Sequence, residues 1–85
     1  MKALLDILVE EKTIIKDIEE IVLAIGFTQE KREYVVENGP YTEVRRQLIK
    51  DCDDEIEQLE KQKIEYEKRL KDIRNEIVDY LDFIL

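Results

Sequence analysis

Histidine and tryptophan are absent, and cysteine, methionine and proline occur once each. Without histidine the chain lacks the usual neutral-pH acid or base, the commonest metal ligand and the base of a hydrolytic triad. One cysteine, Cys52, forms no internal disulfide, and a closed zinc site cannot be assembled from a single Cys and no His. The disulfide-rich secreted class is excluded, and a reducing compartment, the cytoplasm, is the simpler expectation. Glycine is scarce at two residues, so there is no Gly-rich phosphate cradle, and the acidic stretches carry no calcium-loop pattern. No run of about 18 apolar residues is free of charge, so no membrane span is expected. Asp6, Glu10 and Glu11 interrupt the apolar start, and no signal-peptide pattern follows Lys2.

What is abundant is charge and helix-forming apolar residues, at 42% and 44% of the 85 residues. Fourteen Lys and Arg face 22 Asp and Glu, for a net charge of -8. A phosphate backbone meets a repulsive field on such a chain, so no nucleic-acid binding is expected of it in isolation. A chain this short buries a modest core by itself, which favours sharing that core with a second protomer or a partner.

The expected fold is all-α, a single domain over 1–85 with helices at roughly 3–25, 29–38 and 42–82. In the first, Leu4, Glu11, Ile18 and Ile25 fall at heptad position a and Ile7, Ile14 and Ile21 at d, with Leu8, Ile15 and Val22 widening the stripe at e. A stripe that wide suits a helix with more than one neighbour. Leu5, Val9 and Leu23 lie off it. Gly26 offers a helix stop, Thr28 an N-cap for a short second helix, and Phe27 a staple onto it. Asn38-Gly39-Pro40 ends that helix; the competing reading is a β-hairpin in which Tyr34-Val35-Val36 turns through Asn38-Gly39, disfavoured by Pro40 in the return strand.

From Thr42, a reasonable cap, the chain runs to Asp82 without Gly or Pro, and its heptad register is unbroken. Ile49, Ile56, Lys63, Leu70, Ile77 and Ile84 fall at a, and Cys52, Leu59, Tyr66, Ile73 and Tyr80 at d. All but Ile84, ten residues, form the expected dimer seam. A 23-residue first helix is too short to cover it, and acidic 51–60 faces basic-rich 61–74 only when two copies run antiparallel, so a homodimer through this helix is expected. Lys63 either reaches Glu60 or Glu67 of the partner, or sits over Tyr66, or packs its stem while the amine reaches water. Cys52 reads as a small core residue rather than a reactive one, and Glu11 as a rim carboxylate. Tyr66 and Tyr80 read as seam packing, while Tyr41 either covers the helix junction or marks a partner surface. Residues 77–85 are apolar on nearly every face, which a two-stranded seam cannot cover.

The order Ile18-Glu19-Glu20-Ile21 through Gly26-Phe27-Thr28, a short helix, then a long charged heptad helix resembles part of the MerR family of transcription regulators. In that family a winged helix-turn-helix head is followed by helices leading, through a Gly-Phe-Ser/Thr junction, into a long helix that forms an antiparallel dimer coiled coil. The resemblance runs from Ile18 to Tyr80 and does not include the head, so it implies a dimerising half. Cys52 falls near the start of the long helix, where metal-sensing relatives can carry an effector-binding Cys.

No nucleophile with its base and no paired acids can be assembled, so no enzyme activity, no cofactor and no metal are expected. The expected function is a non-enzymatic, acidic dimerisation and protein-interaction module acting as adaptor, chaperone-like partner or regulator. Its further partner would offer a basic or apolar surface. The alternative is a MerR-like regulator, or fragment of one, acting on DNA with a partner.

Overall fold

The computed structural model describes residues 3–84 as two α-helices, α1 (Leu4–Asn38) and α2 (Thr42–Ile84), joined by three residues into an antiparallel hairpin. At about 1.5 Å per residue the helices are about 52 Å and about 65 Å long, and the hairpin measures 64 × 15 × 14 Å. There is no strand among the described residues: Tyr34, Val35 and Val36 are helical, Pro40 and Tyr41 lie in the connection, and helix resumes at Thr42, so the alternative β-hairpin does not form.

The expected break at Gly26 is not there: α1 continues for 35 residues through Gly26, Phe27 and Thr28. Gly26 has no positive φ. A glycine inside a helix costs only about 1 kcal/mol relative to Ala, and the heptad explains why the chain accepts that cost. The d row Ile7, Ile14, Ile21 continues in phase through Thr28 and Val35, and four of these five are buried, with Ile14 half-buried. The a row continues through Ile25 to Arg32, which is half-buried. A stop at Gly26 would forfeit that shared face. Thr28 is accordingly no N-cap: it is buried, and its hydroxyl donates to the Ala24 carbonyl at 3.0 Å, one turn back in the same helix. Phe27 points outward at 77% exposure and staples nothing.

The true stop is at Gly39, as expected from Asn38-Gly39-Pro40. Its N–H donates to Val35 O at 2.8 Å, its carbonyl accepts from Arg45 Nη2 at 2.7 Å, and Arg45 N–H closes the first turn of α2 on Tyr41 O at 2.8 Å. A Cβ on Gly39 would collide with the Val35 carbonyl oxygen and press on Arg45 Cγ and Nε at 3.2 Å. The glycine is therefore required here by close approach of backbone to backbone.

Two cross-helix ion pairs fix the register. Arg74 Nε donates to Glu11 Oε2 at 3.3 Å near the open end, and Arg32 Nε donates to Asp53 Oδ1 at 2.6 Å nearer the loop. Each step up one helix is a step down the other, so α1 spans the α2 seam almost from end to end.

Candidate interaction surface

The ten seam residues of α2 share one face of the helix, and the structure turns that face onto α1. Cys52 and Ile73 are buried; Ile49, Ile56, Leu59, Lys63, Tyr66, Leu70, Ile77 and Tyr80 are half-buried. The premise that the first helix is too short to cover them does not hold, because α1 has 35 residues rather than 23. The complementarity of 51–60 and 61–74 is likewise not needed to cover the seam, since a helix of the same chain does so.

The polar residues of the seam are chemically quiet. Lys63 packs half-buried and places Nζ 3.9 Å from Glu67 Oε1, one turn on in its own helix. It is Arg69, and not Lys63, that lies over the Tyr66 ring, at 5.3 Å from the centroid. Glu11, at an a position, is held by Arg74 across the hairpin rather than by Lys12. Cys52 is 1% exposed, a free thiol deep in the seam. No group of three or more Cys, Asp or Glu that could hold a metal ion occurs among the described residues. No described helix is long and apolar enough to cross a membrane.

The two flanks of the hairpin differ sharply. In an antiparallel pair the g and c positions of both helices share one flank, and the e and b positions share the other. The first is acidic. It carries Asp6, Glu10, Asp17 and Glu20 from α1 and Asp51, Glu55, Glu65, Asp72, Glu76 and Asp79 from α2, against Lys31 and Arg69. A shallow groove of about 210 Å³ runs there between Asp17, Glu20 and Ala24 of α1 and Gln62 and Tyr66 of α2.

The other flank has nearly balanced charge and exposed apolar side chains. Leu8 and Val22 of the e row are 42% and 47% exposed, and Leu5 and Leu23 beside them about 70%. Ile15 is half-buried within the e row, and Ile64, Val78 and Leu81 stand exposed on the α2 side; Val9 lies on the outer side of α1 and lines a groove of about 290 Å³ with Glu10, Asp17, Tyr66 and Arg69 of the acidic flank. An open groove of about 460 Å³ lies between Val22, Gly26 and Gln29 of α1 and Glu60, Ile64 and Glu67 of α2. The widened stripe of the first helix is real, but only its a and d rows meet a neighbour in the chain. Tyr34 and Tyr41 are exposed, Tyr41 most of all at 88%, so Tyr41 does not cover the junction.

Comparison with protein-family models, with curated proteins and with solved structures gives no match. The Gly26-Phe27-Thr28 stretch that carries the likeness to MerR-family regulators is helix interior here, not a junction between helices.

Proposed function

We propose that this chain is a non-enzymatic protein-interaction module, an antiparallel coiled-coil hairpin that serves as adaptor or regulator in a reducing compartment such as the cytoplasm. The observation that carries the reading is the uncovered apolar flank of α1, where Leu5, Leu8, Val22 and Leu23 stand exposed on a helix whose core face is already satisfied. Such a flank has no use in a solitary hairpin and suits the apolar stripe of another helix. The acidic flank opposite gives the module a second character, a surface that attracts basic partners and repels nucleic acid.

Affinity capture from the producing cells with the wild-type chain and with Leu23→Glu tests this. The charge lies on an exposed position and leaves the hairpin folded, and bound proteins, further copies of the chain included, should be lost from the variant. An identical captured set from both chains would sink the proposal.

A further inference from the structure

We infer that the apolar flank is a self-complementary docking surface on which a second copy of this chain lies antiparallel, α1 on α1 and α2 on α2, about a twofold axis passing at Ile15. This deepens the interaction-module reading and rests on it.

The ground is a symmetry in the order of the exposed residues. Along the e row of α1, Leu8 and Val22 are equidistant from Ile15. Along the neighbouring b row, Leu5 and Gly26 are centred half a residue further on, between Ile15 and Lys16, and so are Lys12 and Glu19. Reversing a second helix about that level sets Leu8 against Val22, Ile15 against its own copy, Leu5 against the open side of Gly26, and Lys12 against Glu19, twice each by symmetry except at the axis. A Cβ on Gly26 would meet nothing within 4 Å, so the space for Leu5 of the second copy is open.

The same level is marked independently on α2. The Glu11–Arg74 and Arg32–Asp53 pairs place Ile15 beside Leu70. On α2 the exposed apolar pair Ile64 and Val78 is centred on Lys71, and the oppositely charged pair Glu67 and Arg74 is centred between Leu70 and Lys71. The named pairs on two helices that share no sequence are thus centred on one height to within about one and a half residues, with Glu60 of α2 then set against Leu81. A C2 interface requires that, whereas docking of an unrelated helix does not. Lys71, midway along that α2 row, approaches its own mate, and its long stem lets the ammonium reach water.

The axis lies toward the open end, so the copies overlap along about 4–26 and their loops point away from each other. At about 1.5 Å per residue the overlap is about 34 Å long, on a face 15 Å wide. This buries on the order of 1,000 Å² in total, at the lower edge of specific interfaces, which suits a micromolar rather than a permanent dimer. The longer α2 helices overlap over about 56–84, roughly 43 Å at the same rise per residue, so such a dimer is about 85 Å long, against 64 Å for one hairpin.

Sedimentation velocity from about 5 to about 500 μM, a range that brackets a micromolar dimer, should show a reversible monomer–dimer equilibrium. Small-angle scattering at the high end should give the longer particle. Lys12→Glu should weaken association roughly tenfold, by turning two attractive pairs into repulsive ones. Lys12→Glu with Glu19→Lys should restore it, since the swapped pairs are again opposite in sign. Lys31→Glu, the same charge change on the acidic flank, should have a smaller effect. All variants should keep the helicity of the wild type when dilute. A chain monomeric throughout the range, a dimer no longer than one hairpin, or a double swap no better than the single variant would each overturn the inference. Loss of captured partners by Leu23→Glu in a chain that stays monomeric would overturn the self-pairing alone and leave the interaction module standing.

Discussion

Replacing Gly26 by Ala separates two incompatible readings of the middle of α1. If the residue were a helix stop with positive φ, a methyl group would be strained and the variant would be less stable, by more than the roughly 0.4–1 kcal/mol that a compatible Gly→Ala change contributes. In the continuous helix the sign is opposite. Gly26 is helical, its φ is not positive, and the space its Cβ would occupy is empty. The substitution then removes backbone entropy from the unfolded chain without disturbing a contact, and should stabilise the hairpin by about 0.5–1 kcal/mol. For a domain of this size that raises the melting temperature by roughly 2–8 °C. The assay is thermal and urea denaturation followed by far-ultraviolet circular dichroism, on dilute protein so that folding of one chain is read. A fall in stability, or backbone chemical shifts that leave the helical range at residues 26–28, would refute the reasoning.

Gly39→Ala should do the reverse, losing about 1–3 kcal/mol, because the Val35 carbonyl it would strike is backbone and cannot swing aside; urea unfolding of the two glycine variants side by side checks the opposite signs. Ile21→Ala and Ile73→Ala each empty a buried seam position and should cost about 2–5 kcal/mol, a large share of the total stability of a domain this small, visible as a strong drop in urea midpoint. Cys52→Ser puts a hydroxyl where the thiol is 1% exposed and should cost about 1–3 kcal/mol, whereas exhaustive chelation should leave the helical signal unchanged; loss of structure on chelation would expose a metal dependence through this residue. The isolated chain should give no sequence-specific gel shift near physiological salt, and a shift that discriminates against scrambled duplex would revive the DNA-acting alternative.

The heptads of α2 were legible from Ile49 to Tyr80, because these residues recur without interruption and lie on the face turned to α1, whereas Ile84, in the same register, is exposed. The same rule applied across Gly26 would have shown that Thr28 and Val35 extend the row of Ile7, Ile14 and Ile21 in phase. Gly, Phe and Thr in succession are a plausible local stop, but a local stop is worth about 1 kcal/mol and a continuing buried row is worth several. From the misplaced boundary followed the idea of a short first helix and an uncovered seam. The ion pairs Glu11–Arg74 and Arg32–Asp53 were not legible, since they depend on how the loop sets the register. Of the candidate surface, Leu5 and Leu23 stood out only as residues off the stripe; that they remain exposed beside Leu8 and Val22 required knowing that α1 has a single neighbour.

With two helices side by side and no third layer, every residue of the seam is held by one opposing strip of side chains. Opening can therefore travel inward from either end like the parting of a fastener, without breaking the middle first. The loop end is clasped by Gly39 and Arg45, while the far end finishes in exposed Val78, Leu81, Phe83 and Ile84. Fraying should start at the far end and reach Cys52, level with Arg32 and well toward the loop, last. The thiol is then a natural clock for the slowest opening of the hairpin.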